Sequence, residues 1–522
     1  MGAGLAARIA ANNSDNLKVV LEAPQSEVDR LVRTYGLRVS KRLGMGASVT
    51  GSAAQLNAMA ADTNVTSLAQ DDIVISTMAV TTQSTGASLL WQDARRRRNF
   101  GGLTGEGIGV AVLDSGIAPH ADVAGRLLLS RDFTTEEGVA DGYGHGTHIA
   151  GIIAGSGGGS RSTDGSQLVG MAPGATLLSL RVLGSDGTGY VSDVIAGLEW
   201  AIQNKDRYKI RVINLSLGHA SANRYADDPL ALAVERAVKA GLVVVASAGN
   251  LGKTEDGTPV IGAVVSPGYT PGALTVGALN TRGTVARSDD GVATYSSRGP
   301  VGDPEDSSTW EIKPDLVAPG NAIVAAGSVG SYLWDNFPSR RVIGDSGGTY
   351  LTLSGSSMAT AVVSGAVAQL LQLQPKLTPA EVKFALQFTA QRLDGFGILE
   401  QGAGSLNVPL AAALVESRSG RGAPASVEIG SEFIDAGRIT FASTPLWSGI
   451  GRGNSIVWGD TIIWGNRMVF GNTTVWGTTI IWGNRGRDVG GDTIIWGNRG
   501  QGQAWADSIV WGSTIIWGNR GS

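Results

Sequence analysis

Apolar positions fall into three regimes along this chain. Between residues 16 and 75, short alternating runs interleave with amphipathic ones. NLKVVLEAP predicts a strand that ends at Pro24, and SEVDRLVRTYG a helix with Ser26 as N-cap and Gly36 just past its end. LRVSKRLGMGASVTG alternates like strands, SAAQLNAMAADTNV predicts a second helix capped by Ser52, and TSLAQDDIVIS closes as a strand. The order β-α-β-β-α-β predicts a small ferredoxin-like α+β domain. Between 101 and 410 the alternation gives way to near-continuous apolar runs: GIGVAVLD, ATLLSLRVL, RVINLSLG, LVVVASAGN and LTVGAL. Such runs suit parallel strands buried on both faces. YVSDVIAGLEWAIQN and DPLALAVERAVKAG lie between them with helical period, so the expected fold is α/β, a doubly wound parallel sheet. A late helix is predicted in PKLTPAEVKFALQFTA, with Thr378 as N-cap and Pro379 at its first position.

The third regime is a repeat. From residue 455 the chain reads SIVWGD, TIIWGN, RMVFGN, TTVWGT and TIIWGN, then TIIWGN at 493, SIVWGS at 508 and TIIWGN at 514. The leading residues are strand formers and Gly-Asn is a turn signal. An even period keeps each strand's facing, with Ile462 and Trp464 on one side and Ile463 on the other. Stacked hairpins or a small β-solenoid are expected. Three roles stay open: a structural cap, self-association, or adhesion to a surface.

Composition narrows the classes. With 522 residues and about 150 per domain, some three domains are expected. Lys+Arg is 41 and Asp+Glu 45, a net charge of −4, which gives no reason to expect nucleic acid or an anionic membrane. Cysteine is absent, which excludes disulfides, thiolate catalysis and Cys-metal sites. No unbroken apolar stretch of about 18 residues predicts a membrane-spanning helix. The start, MGAGLAARIAANNSDN, lacks the apolar core of a signal peptide. Arg95–Arg98 is a run of four arginines, read as a solvated helix face or a processing site.

Four segments carry chemistry. Asp114 ends the strand VAVLD, His145 opens the glycine-punctuated helix GHGTHIAGIIAG, Asn250 ends VVVASAGN, and Ser357 starts the apolar helix of LSGSSMATAVVSGAVAQLL. Strand C-termini of an open α/β sheet border the crevice where ligands bind. A serine needs a histidine to take its proton, a carboxylate to fix that histidine, and an amide donor for the oxyanion.

With D-S-G, H-G-T-H and G-S-S-M-A in the order Asp, His, Ser, the segment 101–410 resembles the subtilisin-like serine proteases. The resemblance implies that Asp114 orients the histidine, His145 is the general base and acid, Ser357 the nucleophile and Asn250 an oxyanion donor beside the Ser357 amide. It implies an S1 pocket walled by Ser216, Leu217 and Gly218 and by Ser247, Ala248 and Gly249. It also implies an edge strand at SDGTGY, where Gly187 and Gly189 admit the substrate backbone. The uncharged walls suggest an apolar P1 residue. His148 is expected to be a packed helix histidine. Asp141 is expected either near S2 or at the surface, and His120 and His219 receive no role.

Two departures stand out. Ala359-Thr360-Ala361 follows Met358 where the family has Pro-His, and the loop GSGGGSRSTDGSQLVG lacks the asparagines of the family's calcium loop. Asp122 matches a calcium ligand in its His-x-Asp context, and Asp132, Asp164 and Asp186 are generic oxygen donors, so structural calcium stays open. No cofactor is expected for the chemistry itself. The stretch 302–315 resembles an insertion.

Residues 16–76 resemble the family's propeptide inhibitor domain, with NVTSLAQDDIV as the best-matching part. The resemblance places the tail Ile75–Met78 in the substrate groove and autocleavage at Met78–Ala79. A zymogen implies export, with the signal segment replaced by an initiator Met. The expected organisation is therefore a propeptide at 16–78, a catalytic domain at 79–415, a linker with weak β character at 416–454, and the repeats at 455–522. The expected function is a secreted, self-processed serine endopeptidase acting on proteins or peptides and held by its own propeptide. The alternative is a structural protein in which that domain is a scaffold for association through the repeats.

Overall fold

A computed structural model describes residues 16–43, 46–65, 67–70, 77–91, 102–136, 140–161, 167–219, 225–302, 311–417 and 424–441, together with the backbone of five short strands between 461 and 496. Arg95–Arg98, Asp164, Ile75, Ser76, most of the 302–315 insertion and the hexads at 455, 467, 508 and 514 lie outside these residues. The chain divides into two compact units, Met1–Ile75 and Ser76–Ser522.

The first unit has the predicted order: β1 (Asn16–Glu22), α1 (Gln25–Tyr35), β2 (Arg38–Leu43), β3 (Gly46–Ser52), α2 (Ala53–Ala60) and β4 (Ser67–Gln70). All its pairings are antiparallel, and the strands lie in the order β2-β3-β1-β4. Val19 and Leu21 of β1 alternate onto a core with Val28, Leu31, Val49, Leu56 and Met59. Ser52 caps α2 through a reciprocal bond pair: its hydroxyl accepts from Gln55 N, and Gln55 Oε1 accepts from Ser52 N. Gly36 ends α1 at φ 65°, in the left-handed region. Ser26 is not the N-cap of α1. The helix begins one residue earlier, after Pro24, which turns the chain with no side-chain cap.

The second unit begins with α3 (Thr77–Ser84). It then builds β5 (Gly109–Asp114), β6 (Leu127–Asp132), α4 (His145–Ala154), β7 (Thr176–Arg181), α5 (Val191–Asn204), β8 (Ile210–Leu215), α6 (Pro229–Lys239), β9 (Val243–Ser247), β10 (Leu274–Asn280), β11 (Gly291–Val292) and β12 (Leu316–Pro319). The sheet runs β11-β10-β9-β8-β5-β7-β6, with β12 also beside β10, and only the β10–β11 pair is antiparallel. Its two faces feed different cores. Val110, Val112, Val212 and Val245 point to the side holding α4 and the later helix α8. Ala111, Leu113, Ile213 and Val244 point to the side of α5 and α6. Burial on both faces explains why these strands read as apolar runs.

A smaller antiparallel sheet follows, β13 (Ile323–Ala326), β15 (Thr349–Leu353) and β14 (Arg341–Ile343) in that spatial order, with α7 (Tyr332–Asn336) in the connection. The central helix α8 (Ser356–Leu373) is long and apolar enough to match a membrane span, yet 83% of it is buried in the domain. Then come α9 (Pro379–Thr389), α10 (Ile398–Gln401) and α11 (Val408–Ser417). Thr378 caps α9 in a capping box with Glu381, as its sequence predicts.

The segment expected to be a linker is partly integral to this unit. β16 (Ser426–Ile429) and β17 (Glu432–Asp435) form a hairpin, Glu432 accepts from Arg287 N, and Gly437 N donates to the Ala390 carbonyl. In the repeat region, β18 (Thr461–Ile463), β20 (Thr479–Trp482) and β22 (Thr493–Trp496) pair in parallel with identical residues in register. β19 (Val475–Trp476) and β21 (Val489–Gly490) pair in parallel too. Parallel pairing selects the solenoid-like arrangement over hairpins among the described residues.

Candidate active site

Asp114 is the last residue of β5, flanked by β7 and β8, where the winding of the sheet reverses and a crevice opens. Its side chain is fully buried. His145 is the first residue of α4, set by Gly144 at φ 97°. An added Cβ at Gly144 would lie 2.3 Å from Ser331 Oγ, so the turn needs glycine twice over. His145 Nδ1 lies 2.8 and 2.9 Å from the two Asp114 oxygens. Burial opposes protonation of the imidazole, but the charge of Asp114 and its hydrogen bond outweigh this and raise the His145 pKa above its ordinary value.

Ser357 lies in the first turn of α8, and its hydroxyl donates to the Ser216 carbonyl at 3.1 Å. The two segments are tied reciprocally, because Ser216 Oγ donates to the Ser357 carbonyl and accepts from Asn214 Nδ2. Asn250 Oδ1 accepts from Ser356 N at 2.9 Å. That bond fixes which end of the amide is which and leaves Nδ2 as the end available to a ligand. Asn250, His145 and Ser357 line one groove of about 560 Å³ together with Ser216, Leu217, Gly218, Gly187 and Gly189. Such a set can polarise a carbonyl, deliver a hydroxyl and shuttle its proton.

The structure corrects several sequence expectations. Ser247, Ala248 and Gly249 are buried and are not among the described lining residues of the groove. Ser247 Oγ donates to the Leu217 carbonyl and Gly249 N to Ser356 Oγ, so they brace the residues that do line it. Gly187 and Gly189 lie in the groove, but their lack of side chains already has internal reasons. A Cβ on Gly187 would meet the Tyr143 ring at 2.6 Å, and one on Gly189 the Val182 carbonyl at 2.3 Å. Met78 does not lie in the groove. It is buried in the main core within α3, and Ala79 follows it in the same helix.

Asp141 is neither at the surface nor in the groove. Its carboxylate is buried and accepts from Ser115 Oγ (2.8 Å), Gly144 N (2.7 Å), Thr147 N (2.8 Å) and Thr147 Oγ1 (2.5 Å). Ser115 Oγ in turn accepts from Gly146 N. This cradle holds both ends of the turn that presents His145. Burial raises the Asp141 pKa, and the four hydrogen bonds oppose that rise. Only its spacing before His145 hinted at a role.

His148 is the packed histidine expected. Nε2 faces the Ile323 and Leu351 carbonyls, and burial together with the neighbouring His145 lowers its pKa to about 3. His120 supports a turn, with Nδ1 accepting from Asp122 N and Nε2 near the Thr349 carbonyl.

The cation candidates among the described residues each have partners within the protein. Asp122 accepts from Tyr350 OH and Gly159 N, both at 2.8 Å. Asp132 pairs with Arg181, and Asp186 closes its own turn onto Thr188. Among the described residues no three or more His, Asp or Glu side chains are grouped to hold a metal ion. The Asp122 carboxylate is thus held by donors of the protein itself.

The profile of the subtilase family matches residues 105–405. Serine protease AprX of Bacillus subtilis (strain 168) is 41% identical over 297 residues, covering 56% of this chain and 62% of that protein. Subtilisin E of the same organism is 34% identical over 312 residues, covering 60% of this chain and 67% of its own. A solved structure titled S41 Psychrophilic Protease is 29% identical with a TM-score of 0.47, covering 58% of this chain and 92% of that one. The chain belongs to the subtilase family of serine endopeptidases.

Proposed function

We propose that Ser357, His145, Asp114 and Asn250 hydrolyse peptide bonds through an acyl-enzyme. The observation that carries this reading is the Asp114–His145 pair at the mouth of β5, with Ser357 and Asn250 lining the same groove. Ser357 Oγ turns from the Ser216 carbonyl to the substrate carbonyl carbon and gives its proton to His145 Nε2. Substrate binding is the step at which such contacts tighten. Asn250 Nδ2 and the Ser357 amide donate to the oxyanion. The imidazolium, stabilised by Asp114, protonates the departing amine as the C–N bond breaks. Water then attacks the ester with His145 as base, releasing the acid and restoring Ser357.

Apolar and hydroxyl walls at Ser216–Gly218 favour an uncharged P1 side chain, and binding as an extended strand favours broad selection. Export, inhibition by residues 16–78 and self-cleavage at Met78–Ala79 complete the reading. Support for the last is the nearby division between the two units at Ile75 and Ser76. Cleavage there requires the first turn of α3 to unwind, because an extended backbone is what the groove accepts. The parallel register of the repeats supports a role in association rather than in chemistry.

The test compares the purified chain with Ser357→Ala by intact mass and by casein hydrolysis. Loss of about the first 78 residues and casein cleavage by the unsubstituted chain alone support the reading. An intact, inactive unsubstituted protein overturns it.

A further inference from the structure

Among the described residues the groove has one permanently charged side chain on its walls. These lining residues are aromatic, aliphatic, glycine and hydroxyl residues, with Asn250, two histidines and Arg340, and they include no Asp, Glu or Lys. Arg340 is exposed, and among the described residues no carboxylate pairs with it. Its neighbour Arg341 behaves differently: Nε donates to the Trp334 carbonyl at 2.8 Å, and its guanidinium faces Asp335. The Arg340 charge is thus left for something else.

It is also held in place. Its guanidinium carbon sits 4.8 Å from the centre of the Phe337 ring. Phe337 meets Tyr332 edge-on at 6.4 Å, Tyr332 stacks on Tyr143 at 5.8 Å, and Tyr143 lies 6.4 Å from the His145 ring. Pro338 opens the short turn that ends at Arg340. A continuous aromatic run therefore connects the reacting histidine to this cation.

Arg340 is also joined to the serine through the strands. Arg340 precedes β14, whose Arg341 pairs with Leu351 of β15, and β15 leads through Leu353 and Ser354 into Ser357. Leu353 and Ser354 line the groove with it.

We infer that Arg340 selects substrates with an acidic side chain within two positions of the scissile bond. This rests on the protease reading above. A carboxylate there would meet an oriented, unpaired guanidinium, whereas a lysine would be repelled. The site is exposed, so the effect is moderate and depends on salt.

The experiment uses internally quenched peptides of one sequence, with Glu, Ala or Lys at each of the two positions on either side of the scissile bond. Values of kcat/KM are normalised to the Ala peptide within each enzyme. The unsubstituted enzyme should prefer Glu over Lys by about ten-fold, from about two-fold gain and several-fold loss at an exposed charge. Arg340→Gln should bring the ratio near one, and Arg340→Glu should invert it. About 1 M salt, where the screening length is about 3 Å, should flatten it. Equal Glu-to-Lys ratios in the unsubstituted enzyme and Arg340→Glu, with the Ala peptide cleaved by both, overturn this inference alone. No cleavage of any peptide by the unsubstituted enzyme overturns the protease reading and this inference with it.

Discussion

The sheet of residues 16–70 and the sheet of the second unit use similar strand formers to different ends. The first is antiparallel, has one core, and alternates buried Val19 and Leu21 with less buried neighbours. The second is parallel in all but one pairing and buried on both faces, with Val110 and Val112 in one core and Ala111 and Leu113 in another. Only the second can keep a carboxylate such as Asp114 fully buried at a strand end and still compensate it, because α4 delivers His145 to it and the adjoining Ser115 amide donates to it. Acidic chemistry in the first unit stays at its surface. Asp62 is held by Arg30 and Tyr35, and the Arg30 hydrogen bond lowers its pKa to about 2. The lesson is that two-sided burial sustains a tuned ionisable pair, whereas one-sided burial sustains stability contacts.

Substitutions should therefore act on chemistry in one unit and on stability in the other. Ser357→Ala should lower kcat by about 10⁶-fold with no change in Tm, measured on a chromogenic peptide. Asp114→Asn should cost about 10⁴-fold. It should also move the acid limb of kcat/KM against pH. In the unsubstituted enzyme that limb should lie above the ordinary histidine value of about 6.5, because Asp114 raises the pKa of the base. Without Asp114, burial prevails and the limb should shift to lower pH. A limb that stays put would break the link between Asp114 and His145. Linkage gives the same pair a stability term that is full below about pH 6.5 and lost as pH rises through the raised value.

Asn250→Ala should lower kcat by about 10²–10³-fold and leave KM nearly unchanged, since the oxyanion exists only in the transition state. Asp141→Asn should cost up to about 10²-fold in kcat through misplacement of His145. An unchanged value would reduce the cradle to a fold-stabilising contact. The smallest effect belongs to the first unit. Ser52→Ala should cost about 1 kcal/mol of its stability, read by denaturant unfolding, and leave the pH profile of peptide hydrolysis unmoved.

Much of the framework is legible in the residues. Five buried strands appear as apolar runs, Ser52 and Thr378 as helix caps, and Asp114, His145, Asn250 and Ser357 at strand ends and helix starts. What was missed has definite causes. β6 lies at the sheet edge with its side chains largely exposed, so it lacks the apolar run of its neighbours. α3 reads as polar, yet Thr82 Oγ1 bonds back to the Met78 and Ala79 carbonyls and Thr85 Oγ1 to Thr81, which lets these threonines be buried. The hairpin at 426–435 reads as weakly β because only Ile429 and Ile434 of its residues are buried.

The sequence by itself determined the order of elements, the two-sided burial of the large sheet and the four residues at the crevice, because local period and turn chemistry act over a few residues. The tertiary structure alone decided that Asp141 is a buried cradle, that Ser247 and Gly249 bond to Leu217 and Ser356, that Asp122 accepts from Tyr350 and Gly159, and that Arg340 lines the groove with no carboxylate partner among the described residues. Each of those depends on groups brought together from distant segments, and their burial and pairing arise only when the chain closes on itself.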